Sequence, residues 1–336
     1  MRIAIDAMGG DHAPGEIVKG AVLAASLCDV DITLVGNEKA IRKAMPKSGA
    51  GLERIEIRHT DDVIEMHDPA ASFRTKKDAS LVVCGNMVKE GLAQAMISAG
   101  NTAATMAVAT FKLGRIEGID RPAIASELPA RSGRTILIDA GANADCDVPN
   151  MMQFALMGSV FAERVLGIPS PKVALLSIGE EECKGNDLTK ISHAALGDCG
   201  LNFIGNVEGR HLFSGAANVI VCDGFTGNVA LKSAEGLAEY VVNLIKDELH
   251  RNPVAYLPLL LLYPMIRRMK RKIDYSEYGG APLLGVNGVC IICHGRSNAK
   301  AISSAVKAAQ KAVEQNMVSS INASLHTVAP QSIKVV

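Results

Sequence analysis

Apolar positions along this chain fall into two alternating patterns. Short runs rich in β-branched residues read as strands buried on both faces: Arg2–Ala7, Asp31–Val35, Arg54–Arg58, Ala93–Ser98, Pro122–Ser126, Thr135–Asp139, Lys172–Ile178, Asn202–Val207, Asn218–Cys222 and Gly288–His294. Between them the spacing turns helical, from Pro14 to about Leu27, over Glu38–Met45, from Pro69 onward, and from Thr102 to about Leu113. It does so again from about Asn150 to Leu166, after Asn186, from Thr226 to His250, and in one last helix from Ser297 to Asn322. Strands alternating with helices of this length predict an α/β protein around a largely parallel sheet. No linker or repeat divides the chain, so residues 1–325 read as one catalytic α/β domain, or two lobes sharing a sheet. Residues 326–336 read as a loose tail, with periodicity lost from Ala323. Asp274–Gly285, rich in glycine, reads as a loop.

The stretch from Asn218 to Lys232 organises the rest. A buried strand ends at Cys222, Asp223-Gly224 breaks it, and a helix opens at Thr226. Such a turn leaves free backbone N–H groups at the carboxyl edge of a parallel sheet, where open α/β folds bind ligands and helix N-termini favour anions. Asn228 adds an amide there without adding charge; the alternative is an ordinary turn with Thr226 or Asn228 as its cap. The construction recurs at Asp6–Asp11, Gly100–Thr102, Asp139–Asn143 and Ser177–Asn186. At the first, Asp11 either caps a helix or, with His12, forms a site fragment. At the second, Asn101 and Thr102 suit both a helix cap and a phosphate cradle. At the fourth, Lys184 stands beside Gly185, where the backbone can approach a ligand closely.

Composition narrows the chemistry. The 336 residues are 48% hydrophobic and 4% aromatic, with 35 basic and 35 acidic side chains. No global charge attracts nucleic acid. The eight cysteines read as reduced thiols, and no export signal precedes the first strand, which predicts a cytoplasmic protein. Cys290-Ile291-Ile292-Cys293-His294 matches a haem-attachment string, but it lies inside a strand-like apolar run and is rejected as such. No nucleophile elbow, P-loop, dinucleotide fingerprint or zinc spacing occurs. The strand ends offer amides, hydroxyls, glycines and one lysine. That set suits a bound anion acting as its own nucleophile, with no covalent enzyme intermediate, no metal and no cofactor.

A segment of different character spans about residues 250–273. Asn252–Ile266 is uncharged and too short to cross a bilayer, which takes about 20 residues. It carries Leu259, Leu260, Leu261 and Leu262 and is followed by Arg267, Arg268, Lys270, Arg271 and Lys272. That pairing suits a hairpin lying on an anionic membrane surface, or a dimer interface, or both.

Taken in order, Asp6-Ala7-Met8-Gly9-Gly10-Asp11, Ser98–Thr102, Asp139–Asn143, Ser177–Glu181, Lys184-Gly185-Asn186, Val221–Asn228 and Tyr278-Gly279-Gly280-Ala281 resemble the motifs of the PlsX phosphate acyltransferases over roughly residues 1–322. The resemblance implies a three-layer αβα fold like isocitrate and isopropylmalate dehydrogenases, and a homodimer. It implies transfer of a long-chain fatty acyl group from acyl carrier protein to inorganic phosphate. The acyl phosphate would then feed a downstream membrane acyltransferase that acylates glycerol 3-phosphate in phospholipid synthesis. Lys184 and Asn228 are the expected catalytic donors. Asn101, Thr102, Asn143, Ser177, Asn186, Asp223, Gly227, Asp11 and His12 are the expected phosphate and substrate contacts. A more distant similarity links Lys184-Gly185 and Asp223–Asn228 to phosphate acetyltransferases. The chain departs from those enzymes in having Asn186 where they carry serine, and in lacking their Ser-Arg-Gly near the last strand. Two other readings are an NAD-dependent β-decarboxylating dehydrogenase and a non-catalytic adaptor for membrane and acyl carrier protein. Asp223 lacks the neighbouring aspartate the first would need, and the second leaves the polar strand ends unexplained.

Overall fold

The computed structural model describes residues 1–251, 264–265 and 279–328. The expected hairpin, with Leu259–Leu262, Arg267 and Arg268, lies outside these residues except at 250–251 and 264–265.

Among the described residues eleven strands form one sheet: β1 Arg2–Asp6, β2 Asp31–Gly36, β3 Ile55–His59, β4 Ala95–Ser98, β5 Ala123–Pro129, β6 Arg134–Ile138, β7 Val173–Leu176, β8 Phe203–Val207, β9 Val219–Val221, β10 Ala281–Leu284 and β11 Val289–Ile292. Their spatial order is β3-β2-β1-β4-β11-β10-β5-β6-β9-β7-β8. The helices are α1 Gly15–Leu27, α2 Glu38–Ala44, α3 Ser80–Lys89, α4 Thr102–Val108, α5 Val148–Val160, α6 Asp187–Gly197, α7 Gly224–Arg251, α8 Ala299–Glu314 and α9 Met317–Val328. The core lies on both faces of the sheet. Ile3, Ile5, Ile97, Ile136 and Val219 pack under α1, α5 and α8, and Ala4, Met96, Ile292 and Leu283 pack under α3 and α4. The two helical layers and the sheet between them make the expected three-layer αβα sandwich.

Register explains how distant strand ends meet. β3, β2, β1, β4 and β11 are mutually parallel, and so are β6, β9, β7 and β8. Antiparallel β10 and β5 join the two sets, so the sets run in opposite directions. Ala281 pairs with Ile292 at the end of β11, Leu283 with Ile124, and Ala125 with Ile138 at the end of β6. The carboxyl ends of both sets therefore stop at nearly the same level, and their loops converge there.

Three expectations are corrected. The supposed loop ending at Gly285 contains the buried strand β10. Its first half pairs with β11 and its second with β5, so Pro282, which has no N–H to donate, sits next to the change of partner. The last helix is two helices, because Asn316 takes a left-handed φ of 50° between α8 and α9; asparagine tolerates that region better than most residues. The chain after Ala323 is not loose at once: α9 continues to Val328, with Ile321 buried and Leu325 against the core.

Candidate active site

Two buried aspartates hold the converging loops in shape. Asp139, just past β6 and wholly buried, accepts hydrogen bonds from the N–H groups of Ile124 (3.1 Å), Gly141 (3.1 Å), Ala142 (2.9 Å) and Asn143 (2.7 Å), and from Asn143 Nδ2 (2.9 Å). The loop it folds then meets α7: Gly224 N–H donates to the Asn143 carbonyl at 2.8 Å. Asp6, at the end of β1, plays the matching part in the other half. It accepts from Ser80 Oγ (2.6 Å), Ser98 Oγ (2.8 Å) and Met8 N–H (3.2 Å), while Ser98 Oγ accepts from Gly100 N–H (3.0 Å). Burial pushes both carboxyls upward, and these donors oppose it.

Between the two halves lies a cleft of about 190 Å³. Thr102, the first residue of α4, lines it from one side, and Asn228, in the first turn of α7, from the other. The sequence separates these residues widely, and the opposed halves of the sheet bring them together. Asn228 is seated against Gly141, whose position would put an added Cβ 3.3 Å from that of Asn228. Glu127 also lines the cleft and pairs with Arg134 at 2.5 Å; burial raises its carboxyl, against the pull of Arg134.

The other expected site residues are placed differently. Asn101 caps α4 through the Ala104 N–H, while its Nδ2 donates to the carbonyls of Met66 and Asp68. Asn143 spends Nδ2 on Pro122 and Asp139. Asn186 caps α6 through Thr189 N–H, and both oxygens of Asp223 accept from Thr226. These four side chains shape loops and helix starts. Ser177 donates to the Lys184 carbonyl at 3.3 Å, which closes the loop that follows β7, neighbour of β9. Lys184 is exposed on that loop and is not among the residues lining the cleft. Asp11 and His12 are exposed; the Asp11 N–H donates to the Gly295 carbonyl at 2.9 Å and ties its loop to the one after β11. Gly227 is buried against the Asp139 backbone.

The cleft also contains residues to which the sequence assigned no role. Lys232 and Glu235 lie on the same face of α7 as Asn228 and form an ion pair of 2.7 Å. His294 and Ser297 follow β11. Burial and the nearby Lys232 hold the His294 imidazole below its ordinary range, while Glu235 and Asp11 oppose that effect. The signal for Lys232 was its place one helical turn beyond Asn228. For His294 it was a histidine-glycine pair ending a parallel strand. Chemically, the cleft offers an amide, hydroxyls, one cation and a neutral imidazole to an anion. Among the described residues no His, Cys, Asp and Glu side chains cluster as a metal site. Cys290 and Cys293 lie buried in or just after β11, their thiols pushed up to about 12.

Comparison with known proteins shows the family to which the chain belongs. Residues 1–320 match the family described as "Fatty acid synthesis protein". The chain is 54% identical over 323 residues to a phosphate acyltransferase of Heliobacterium modesticaldum, covering 96% of each. It is 49% identical over 329 residues to that of Pelotomaculum thermopropionicum, covering 98% of this chain and 96% of the relative.

The chain belongs to the PlsX phosphate acyltransferase family. Like its relatives in that family it is an acyltransferase. Among solved structures the phosphotransacetylase of Streptococcus pyogenes shares the fold at a TM-score of 0.63 and 18% identity, covering 94% of each chain. The 4-hydroxythreonine-4-phosphate dehydrogenase of Klebsiella pneumoniae does so at 0.53 and 13% identity, covering 92% of this chain and 98% of its own. The fold therefore serves acyl transfer and redox chemistry alike, and the site must carry the function.

In this phosphate acyltransferase Asp139 is expected to hold the cleft's geometry without taking part in the chemistry. Asp139→Asn would set an amide N–H₂ against N–H groups that now donate to a carboxylate. The cost should be about 2–4 kcal/mol of stability. Urea denaturation checks it, and an unshifted midpoint would show that the loop tolerates the lost acceptor.

Proposed function

We propose that the protein transfers a long-chain fatty acyl group from acyl carrier protein to inorganic phosphate. The observation that carries this reading is the cleft where Thr102 and Asn228, from opposed halves of the sheet, face one another in a phosphate acyltransferase. A phosphate oxygen attacks the thioester carbonyl carbon, the C–S bond breaks, and the phosphate proton leaves with the pantetheine sulfur as a thiol. Acyl phosphate results, to be used by a membrane acyltransferase on glycerol 3-phosphate. The thiol, with an ordinary pKa near about 8.5, departs without a strong acid. Asn228 and Lys184 are the proposed donors to the carbonyl oxygen as it gains charge, and Thr102 the proposed phosphate contact. Proximity contributes most of the remainder. With acyl carrier protein bearing a long acyl chain, acyl phosphate should form in phosphate buffer without added metal or nucleotide. Loss of activity on EDTA treatment, restored by a divalent ion, would overturn the mechanism.

We propose further that the protein is a cytoplasmic homodimer that touches anionic membrane through Leu259–Leu262, Arg267 and Arg268. For the dimer, the support is α7. Its Leu237 (64% exposed), Tyr240 (63%) and Ile245 (53%) leave apolar side chains open to a partner; a monomer by light scattering would count against it. For the membrane, the support is a leucine run followed by basic residues, each adding roughly 1 kcal/mol near an anionic surface. Among the described residues no helix is long and apolar enough to cross a bilayer. Replacing Leu260 and Leu261 with glutamate should release the protein from anionic vesicles and leave turnover on soluble acyl carrier protein intact. Inactive monomers would instead assign those leucines to the interface.

A further inference from the structure

The cleft presents a charge problem to phosphate. Among the described residues lining it Lys232 is the single lysine or arginine, and its Nζ lies 2.7 Å from Glu235 Oε2, which lines the same cleft. The other carboxylate in the lining, Glu127, is matched by Arg134. An incoming dianion therefore meets in this lining a cation already engaged by a carboxylate.

His294, also in the lining, does not supply the missing positive charge. Its Nδ1 accepts the Arg296 N–H at 3.1 Å, so the neutral ring carries its proton on Nε2. Protonating Nδ1 would break that bond. Burial and Lys232 act in the same direction, against Glu235 and Asp11, and Arg296 adds a further positive charge nearby. Arg296 itself reaches Glu239 on α7 at 3.6 Å.

We infer that the Lys232–Glu235 pair is a built-in competitor for phosphate: the anion binds by displacing Glu235 from Lys232, so Glu235 sets the phosphate affinity of the cleft. Geometry permits the exchange. Lys232 stands one helical turn beyond Asn228, so both side chains leave the same face of α7. The pair is half exposed, at 52% and 38%, so Glu235 can swing into solvent without a buried charge being stranded. A phosphate offers Lys232 more charge and more acceptor oxygens than one carboxylate. In the free enzyme Glu235 keeps the lysine held over the cleft.

This inference rests on the phosphate-transfer reading, and the two fail separately. Glu235→Gln should lower the KM for inorganic phosphate about five- to tenfold, the effect of freeing Lys232 from a competing carboxylate. Lys232→Met should raise that KM by at least about tenfold, and Lys232→Arg should restore much of it. In the double variant the gain from Glu235→Gln should disappear, because its target is gone. A merely structural pair would give no improvement in phosphate KM on losing its acid. An unchanged or raised KM in Glu235→Gln, with normal melting, overturns the inference and leaves acyl transfer standing. If the wild type makes no acyl phosphate, the reading itself falls. Phosphorus NMR titration with inorganic phosphate still decides the pair, since Glu235→Gln must then bind it more tightly than the wild type.

Discussion

Gly227→Ala is expected to abolish turnover and to destabilise the protein by about 3 kcal/mol or more. A Cβ at this position would overlap the Asp139 carbonyl oxygen and come within 2.9 Å of Cys222 Sγ. Neither neighbour is the far end of a flexible side chain. One is backbone in the loop that Asp139 itself holds with its hydrogen bonds, and the other is buried just beyond β9. Relief of the overlap requires α7 to lift from the loop at residues 139–143. Gly224 is equally constrained, since a Cβ there would meet the Asn143 carbonyl oxygen at 2.6 Å and its nitrogen at 2.7 Å. Lifting α7 carries Asn228, Lys232 and Glu235 away from Thr102 and opens the cleft. Thermal melting and an acyl phosphate assay check this together. An alanine variant that melts and turns over as the wild type does would show that α7 is not held where the structure puts it.

Loss of the proposed oxyanion donors should have the largest effect on chemistry alone. Asn228→Ala and Lys184→Ala are each expected to lower turnover by about 10²-fold or more, corresponding to about 3–4 kcal/mol of transition-state stabilisation. Melting should barely change, because Asn228, near the start of α7, and Lys184, on the loop after β7, are both exposed. The two variants are not equally placed. Asn228 lines the cleft, whereas Lys184 stands on the neighbouring loop after β7, where its N–H donates to the Glu181 carbonyl at 3.0 Å. Near-normal turnover in either variant would remove that residue from the mechanism. The contrast with Lys232→Met is diagnostic: that change should appear in the KM for phosphate, and these two in kcat.

The sequence carried much of this because much of it is locally encoded. Runs such as Ile136-Leu137-Ile138 and Val219-Ile220-Val221 have few ways to exist except as strands buried on both faces, and they lie there with no exposure. The order of the strand-end motifs identified the family without any contact being known. Local pattern misled at Pro282 and at Asn316. A proline sits there within a buried strand because its ladder changes partner beside it, and a helix breaks without glycine or proline.

What the sequence determined by itself, then, is most of the elements, their alternation, and the residues offered at each strand end. What only the tertiary structure decided is which of those ends share a cleft. Asn101, Asn143 and Asn186 are of a type that can donate to an anion and also, like Asp223, of a type that caps helices and closes turns, and nothing local separates the two uses of an asparagine. The separation comes from the antiparallel insertion of β10 and β5, which reverses one half of the sheet and sets both carboxyl edges at one level. That register joins Thr102 to Asn228 and brings in Lys232, Glu235 and His294. It depends on pairings between strands far apart in the chain, and such pairings are fixed by the packing of the whole sheet.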